Sequence, residues 1–119
     1  MAAFNLNEYT LPFYIADVST AGQIYVPIPE GFAGDITEIR TALNGAIITA
    51  DVDLTAKINT VAVTGGLITI TQAGSAAGDV DVANPTALRT VRAGDAIEIE
   101  TDGASGNTVE VFGTIVIKR

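Results

Sequence analysis

Alternation with a period of two residues constrains this chain more than any other feature. Val52, Leu54, Ala56 and Ile58 alternate with Asp53, Thr55 and Lys57. Ile97 and Ile99 alternate with Glu98 and Glu100, and Ile39, Thr41 and Leu43 have Glu38 and Arg40 opposite them. Ile24, Val26 and Ile28 share one face, as do Val109, Val111, Ile115 and Ile117. Successive side chains of a strand point to opposite faces, so each run predicts a strand with one face in a core and one in water. Composition agrees: Ile, Val and Thr supply 40 of the 119 residues, against six Leu and one Met. Branched side chains suit a pleated sheet and crowd a helix. No stretch keeps a 3.6-residue period for three turns, so no substantial helix is expected.

Turn signals separate these runs at spacings typical of a sandwich. Thr20-Ala21-Gly22, Gly31 and Gly34, Asn84-Pro85, Gly94-Asp95 and Asp102-Gly103 all break the pattern. Asn44-Gly45 and Gly65-Gly66 read as hairpin turns, because both central positions favour positive φ. About eight strands result. The expected fold is all-β: one antiparallel, jelly-roll-like β-sandwich over residues 11–119, with residues 1–10 as an N-terminal arm. Pro27 has no amide to donate, which predicts an edge or a bulge. Residues 72–87, TQAGSAAGDVDVANPT, are too long for an ordinary hairpin loop. They read as a surface excursion, or as a contact loop reaching a neighbouring subunit.

Function is narrowed first by exclusion. Without cysteine there is no disulfide framework and no thiolate metal site. Without histidine, a Ser-His-Asp or Cys-His arrangement is impossible. Fourteen acids against six bases leave a formal net charge of -8. Nucleic acid and anionic membranes need clustered Lys and Arg, so neither is an expected partner. Arg89 with Arg92 and the pair Lys118-Arg119 are the only bases close in sequence. An acidic surface does favour solubility and spacing between copies. The start, MAAFNLNEYTLPFY, has neither the positive region nor the apolar stretch of a signal peptide, and no window reaches a membrane-spanning length. The expectation is a soluble protein made in the cytoplasm.

Carboxylates are the remaining candidates for chemistry. Asp51/Asp53 and Asp79/Asp81 each point to one face, and Asp95, Glu98, Glu100 and Asp102 form a third group. Facing carboxylates with aromatic walls would suit a glycosidase, but there is no tryptophan and the aromatics lie elsewhere. Calcium would also use such oxygens, yet no EF-hand loop is present. A solvated strand face explains them, so no catalytic residue, metal or cofactor is assigned. Neither GGLITIT nor AGSAAGD has the pattern of a phosphate loop.

Six of the seven aromatics fall within residues 1–32: Phe4, Tyr9, Phe13, Tyr14, Tyr25 and Phe32. Aromatics are enriched at interfaces. Phe4 and Tyr9 precede the first clear strand, as an arm docking on a partner would; the other reading is that the arm packs on its own sandwich. Leu11, Phe13 and Ile15, with Tyr14 and Ala16 opposite, are apolar on both faces, which suits a strand covered on both sides. Phe4, Tyr9, Phe13 and Tyr14 are therefore the candidate partner-binding residues.

The runs STAGQIYVPIPEGFAGDITEI, NGAIITADVDLTAKIN and PTALRTVRAGDAIEIETDG resemble the head-decoration, or capsid cement, proteins of tailed bacteriophages. The likeness covers roughly residues 11–119. It implies a structural virion protein on the capsid exterior, made in the host cytoplasm, with the major capsid protein and its own copies, as a homotrimer, for partners. The alternative is a carbohydrate- or receptor-binding jelly roll, using Tyr9, Tyr14 and Tyr25 as an aromatic platform and Asp51/Asp53 for calcium.

Overall fold

The computed structural model describes residues 7–119, so Phe4 lies outside the described residues. Nine strands follow one another along the described residues: β1 (Glu8–Ile15), β2 (Gly22–Pro27), β3 (Gly34–Leu43), β4 (Val52–Ile58), β5 (Val61–Ile70), β6 (Val80–Ala83), β7 (Thr90–Val91), β8 (Ala96–Thr101) and β9 (Val111–Lys118). No helix occurs among the described residues. Of the expected arm, Glu8, Tyr9 and Thr10 are part of β1 and pair with β9.

The pairing is nested. β4 pairs with β5, β3 with β6 and β7, β2 with β8, and β1 with β9, all antiparallel. Laid flat, the chain is one long hairpin turning between Ile58 and Val61. The hairpin is then rolled: β9 also pairs with β3, and β8 with β4. Two sheets result, in the orders β1-β9-β3-β6, with β7 also on β3, and β2-β8-β4-β5. This is the expected antiparallel sandwich, with nine strands where about eight were expected. β2 is an edge strand, as Pro27 requires.

The alternating residues do what their spacing predicts. Val52, Leu54, Ala56 and Ile58 enter the core from β4, and Val111, Ile115 and Ile117 from β9. At the interior position between those of β9, a glycine makes room for a ring. Phe13 pairs directly with Gly113, and a Cβ there would lie 2.0 Å from its Cζ.

The hairpin turns lie elsewhere than expected. The β4–β5 turn is Asn59-Thr60, with φ of 48° and 72°, because Ile58 pairs with Val61 across two residues. Gly65-Gly66 instead lies inside β5, at a bulge where the register shifts between Thr55 and Lys57. The bulge lets Thr64 bridge to Ala87, tying this sheet's edge to the chain between β6 and β7. Asn44-Gly45 joins strands of different sheets and has no positive φ. Residues 72–87 are not wholly loop: Val80–Ala83 form β6 against β3.

Two stability outcomes follow. Gly113→Ala should cost about 1–3 kcal/mol by overpacking, seen as a lower urea midpoint. Adding Phe13→Leu to it should cost less than Phe13→Leu costs alone, which a double-mutant cycle measures. Thr60→Gly should stabilise by about 0.5–1 kcal/mol, since a branched residue is strained at positive φ and this turn favours Asn-Gly. An unchanged midpoint would show that Thr60 is not strained.

Candidate interaction surface

The register places one residue from each of four strands in a row across the outer face of the first sheet. Tyr14 pairs with Phe112, Phe112 with Ala42, and Ala42 with Val80. The next row is Pro12, Thr114, Arg40 and Val82. These positions alternate with the core residues, so on a fully solvated sheet they would be polar. Here Tyr14 is 46% exposed, Phe112 49%, Val80 53% and Val82 41%. The Tyr14 and Phe112 rings meet at 5.2 Å between centroids, tilted by 41°. Ala42, the small member of the row, leaves a groove of about 200 Å³ between Phe112 and Val80.

The other sheet's outer face is built differently. Lys57 lies 3.3 Å from Glu100 and 3.9 Å from Glu98, and Tyr25 pairs with Glu98 at the edge. Glu98 is almost fully buried beneath this cluster. The centre of this face is thus polar and ion-paired, with Tyr25 and Leu67 exposed singly on it, and the opposite face carries a contiguous apolar band.

Charge is also unevenly placed. The connections 16–21, 44–51, 71–79 and 102–110 meet at one end of the sandwich. There Asn107 hydrogen-bonds Ile48 N and Ala46 O, Ser75 hydrogen-bonds Ile47, and Thr101 donates to Val18 O. These connections carry Asp17, Asp51, Asp79, Asp102 and Glu110, and neither Lys nor Arg. At the opposite end Lys57, Arg89, Arg92, Lys118 and Arg119 balance Glu8, Glu30, Asp35, Asp95 and Glu98. Glu38 and Arg40 pair at 2.9 Å, and this hydrogen bond holds the Glu38 carboxyl below its ordinary range. The net charge therefore arises in the loop-end half.

One of these acidic positions flanks the apolar row. Glu110 accepts a hydrogen bond from the Tyr14 hydroxyl and another from Asn44 Nδ2 at 3.1 Å. The Tyr14 phenol is raised above its usual value near 10, first by that hydrogen bond to a carboxylate. Asp79 and Asp81 neighbour Val80 in the chain and therefore face the other side of the sheet, where Asp81 pairs with buried Thr41; burial, then the charge of Asp79, raises the Asp81 carboxyl.

The candidate residues separate. Tyr14 is in the exposed row. Phe13 is 7% exposed and belongs to the core. Tyr9 stacks on Phe32 with centroids 4.3 Å apart, and the Arg119 guanidinium lies 4.9 Å from its ring centre. Arg119 also donates to Gly31 O at 2.7 Å, so this cluster closes the neutral end of the sandwich. Tyr9, Tyr14 and Tyr25 lie on three different surfaces and do not form one aromatic platform. Phe112, Val80 and Val82 were not singled out in the sequence. The available signal was an apolar residue at the position opposite the core face, as at Tyr14.

The acidic pairs are engaged locally. Asp51 Oδ1 accepts from Gln72 N and Asp53 Oδ1 from the Thr69 hydroxyl, each at 2.7 Å. Among the described residues, no three His, Cys, Asp or Glu side chains come together to hold a metal ion. A second hollow of about 210 Å³ beside residues 15–24 contains Asp17. Hydrogen bonds from the Ser19 hydroxyl and amide, then from Thr20, lower its carboxyl pKa.

No protein-family model matches the chain, and no curated protein matches it. Among solved structures, a chain of the acidic stable capsid structure of Helicobacter pylori bacteriophage KHP30 is similar, with a TM-score of 0.58 and 12% identity. The match covers 94% of this chain and 87% of that one. At that identity the likeness is one of fold.

The Tyr14–Glu110 contact has a pH signature. A raised folded-state pKa favours the neutral phenol, so its stabilising contribution is present below pH 10 and lost as the phenol ionises. In a ¹³C NMR titration, Tyr14 Cζ should move above pH 10, and Glu110→Gln should bring its midpoint down toward the ordinary value. A midpoint indifferent to Glu110→Gln would break the assignment.

Proposed function

We propose that this chain is a structural virion protein that binds the outer surface of a phage capsid and stabilises it by bridging neighbouring major-capsid subunits. The observation that carries the reading is the contrast between the two sheet faces. Large exposed apolar patches mark interaction sites, and a part that lies on a larger body needs one such face. The fold shared with a chain of a phage capsid structure supports the same reading. So does the sequence likeness to capsid cement proteins.

A role of this kind asks little of any single contact. Many copies on a lattice hold firmly through multivalency even when each contact is weak. A homotrimer would multiply the contacts of each unit, and closed cyclic symmetry would limit its growth. The concentration of acid at one end would keep decorated particles apart.

Mixing the purified chain with phage heads that lack it tests the reading. The chain should co-sediment with the heads to saturation and raise the temperature at which they release DNA. Neither effect appearing would sink the proposal. Light scattering should give a mass near three times 12.2 kDa; a mass of one chain would remove the preformed trimer. Because Glu8–Thr10 are strand, a truncation that tests the arm stops at residue 6. It should leave the melting temperature intact and weaken head binding several-fold, and undiminished binding would take the arm out of the account.

A further inference from the structure

We infer that residues 1–6 of a second copy dock as an extended segment on the free edge of β2, with one apolar side chain seated in the hollow beside it. The inference rests on the homotrimer of the reading above and gives it a route. Three observations carry it. On the side of the sandwich edged by β1 and β2, two core-face residues, Leu11 and Ile24, are only partly covered. Between these strands lies the hollow of about 210 Å³, lined by Ile15, Ala21, Gly22, Ile24 and Ile99. Beside it, β2 presents an open row of backbone groups.

Register fixes that row. The Ile28 amide donates to Asp95 O at 2.9 Å, and Ile28 O accepts from the Gly94 amide at 3.1 Å. Bonded and non-bonded positions alternate along an antiparallel pair. Gly22, Ile24 and Val26 therefore turn toward β8, and the amides and carbonyls of Gln23 and Tyr25 turn away from the sheet. β2 pairs with no other strand among the described residues. Pro27 closes the row at one end, having no amide to donate. The open stretch is the one beside the hollow. A strand added there gains main-chain hydrogen bonds from Gln23 and Tyr25 and lays alternate side chains against Ile24.

Length and charge select the occupant. Residues 1–6, MAAFNL, hold Phe4 and Leu6 two apart, the spacing of one strand face, and no charged side chain. They meet the acidic loop end with no carboxylate of their own. Asp17 at the hollow is already bonded by Ser19 and Thr20. The same copy's segment does not reach. Glu8 to Ile15 is extended strand, about 24 Å long. Six residues span at most about 22 Å, even without the turn back that docking would require. The donor is therefore another copy. Each copy gives one segment and receives one, so the contact is head-to-tail and closes into a ring.

The chain has no cysteine, so disulfide formation between full-length variants tests the contact. Chains carrying only Phe4→Cys are mixed with chains carrying only Ala21→Cys in a glutathione redox buffer. The mixed two-chain product should form several-fold faster than either variant bonds to itself. Gly22→Leu fills the hollow, since a Cβ there meets nothing closer than 4.0 Å. It should leave the spectrum folded and remove both the mixed product and the threefold mass. Phe4→Ser should also remove the threefold mass, and Phe4→Leu should retain it. A concentration-independent internal bond in a chain carrying both cysteines would overturn the inference, since the segment would then dock on its own copy. So would a parent mass of one chain, or a threefold mass that survives Gly22→Leu and Phe4→Ser. Any of these with head binding intact would leave the capsid reading standing. Exchange between chains that do not bind heads would do the reverse.

Discussion

Everything in this sandwich depends on the register set where the chain doubles back at Asn59-Thr60. Each rung outward inherits it: β4 on β5, then β3 on β6, β2 on β8 and β1 on β9. A slip of one residue in any pair would turn that strand's whole interior set outward. The Phe13–Gly113 contact guards the outermost rung, because only a glycine leaves space for the ring. The price of this order is a set of long-range pairings, with β1 and β9 drawn from opposite ends of the described chain. Such closure precedes its reward, which makes folding of comparable β-sandwiches slow.

The same register that fills the core also composes the surface. Once β9 is set between β1 and β3, Phe112 must stand between Tyr14 and Ala42. The apolar band is thus a product of pairing as much as of residue choice. The opposite sheet obeys the same geometry with Lys57, Glu98 and Glu100 at the equivalent outward positions, and there the band is polar. The two faces differ in chemistry while the backbone beneath them is alike.

Most of the fold was legible because the decisive information is local. Val52–Ile58 and Val111–Ile117 declare both their strand and their buried face by alternation alone, while Val109, expected in the same strand, is a buried residue of the connection before it. The turns were less legible, because Asn-Gly and Gly-Gly show where positive φ is cheap and not where the chain needs it. Asn59 and Thr60 adopt it because Ile58 and Val61 are paired. The strand Val80–Ala83 was hidden in a run of small and acidic residues, and only pairing with β3 defines it. The candidate surface was least legible. Tyr14 showed as apolar on the wrong side of its strand, but Phe112 and Val80 join it only through contacts between distant parts of the chain. The aromatic cluster near the start misled in part: Phe13 fills the core, and Tyr9 and Phe32 close the sandwich's neutral end with Arg119.

The separation of an acidic end from a balanced one also affects motion before any contact. Near a charged surface such a molecule feels a torque as well as a net force. Its loops swing toward positive potential, and the balanced end, where residues 7 and 119 hydrogen-bond, trails behind. Random tumbling is thereby narrowed to a small range of approach angles, and the encounter begins already oriented.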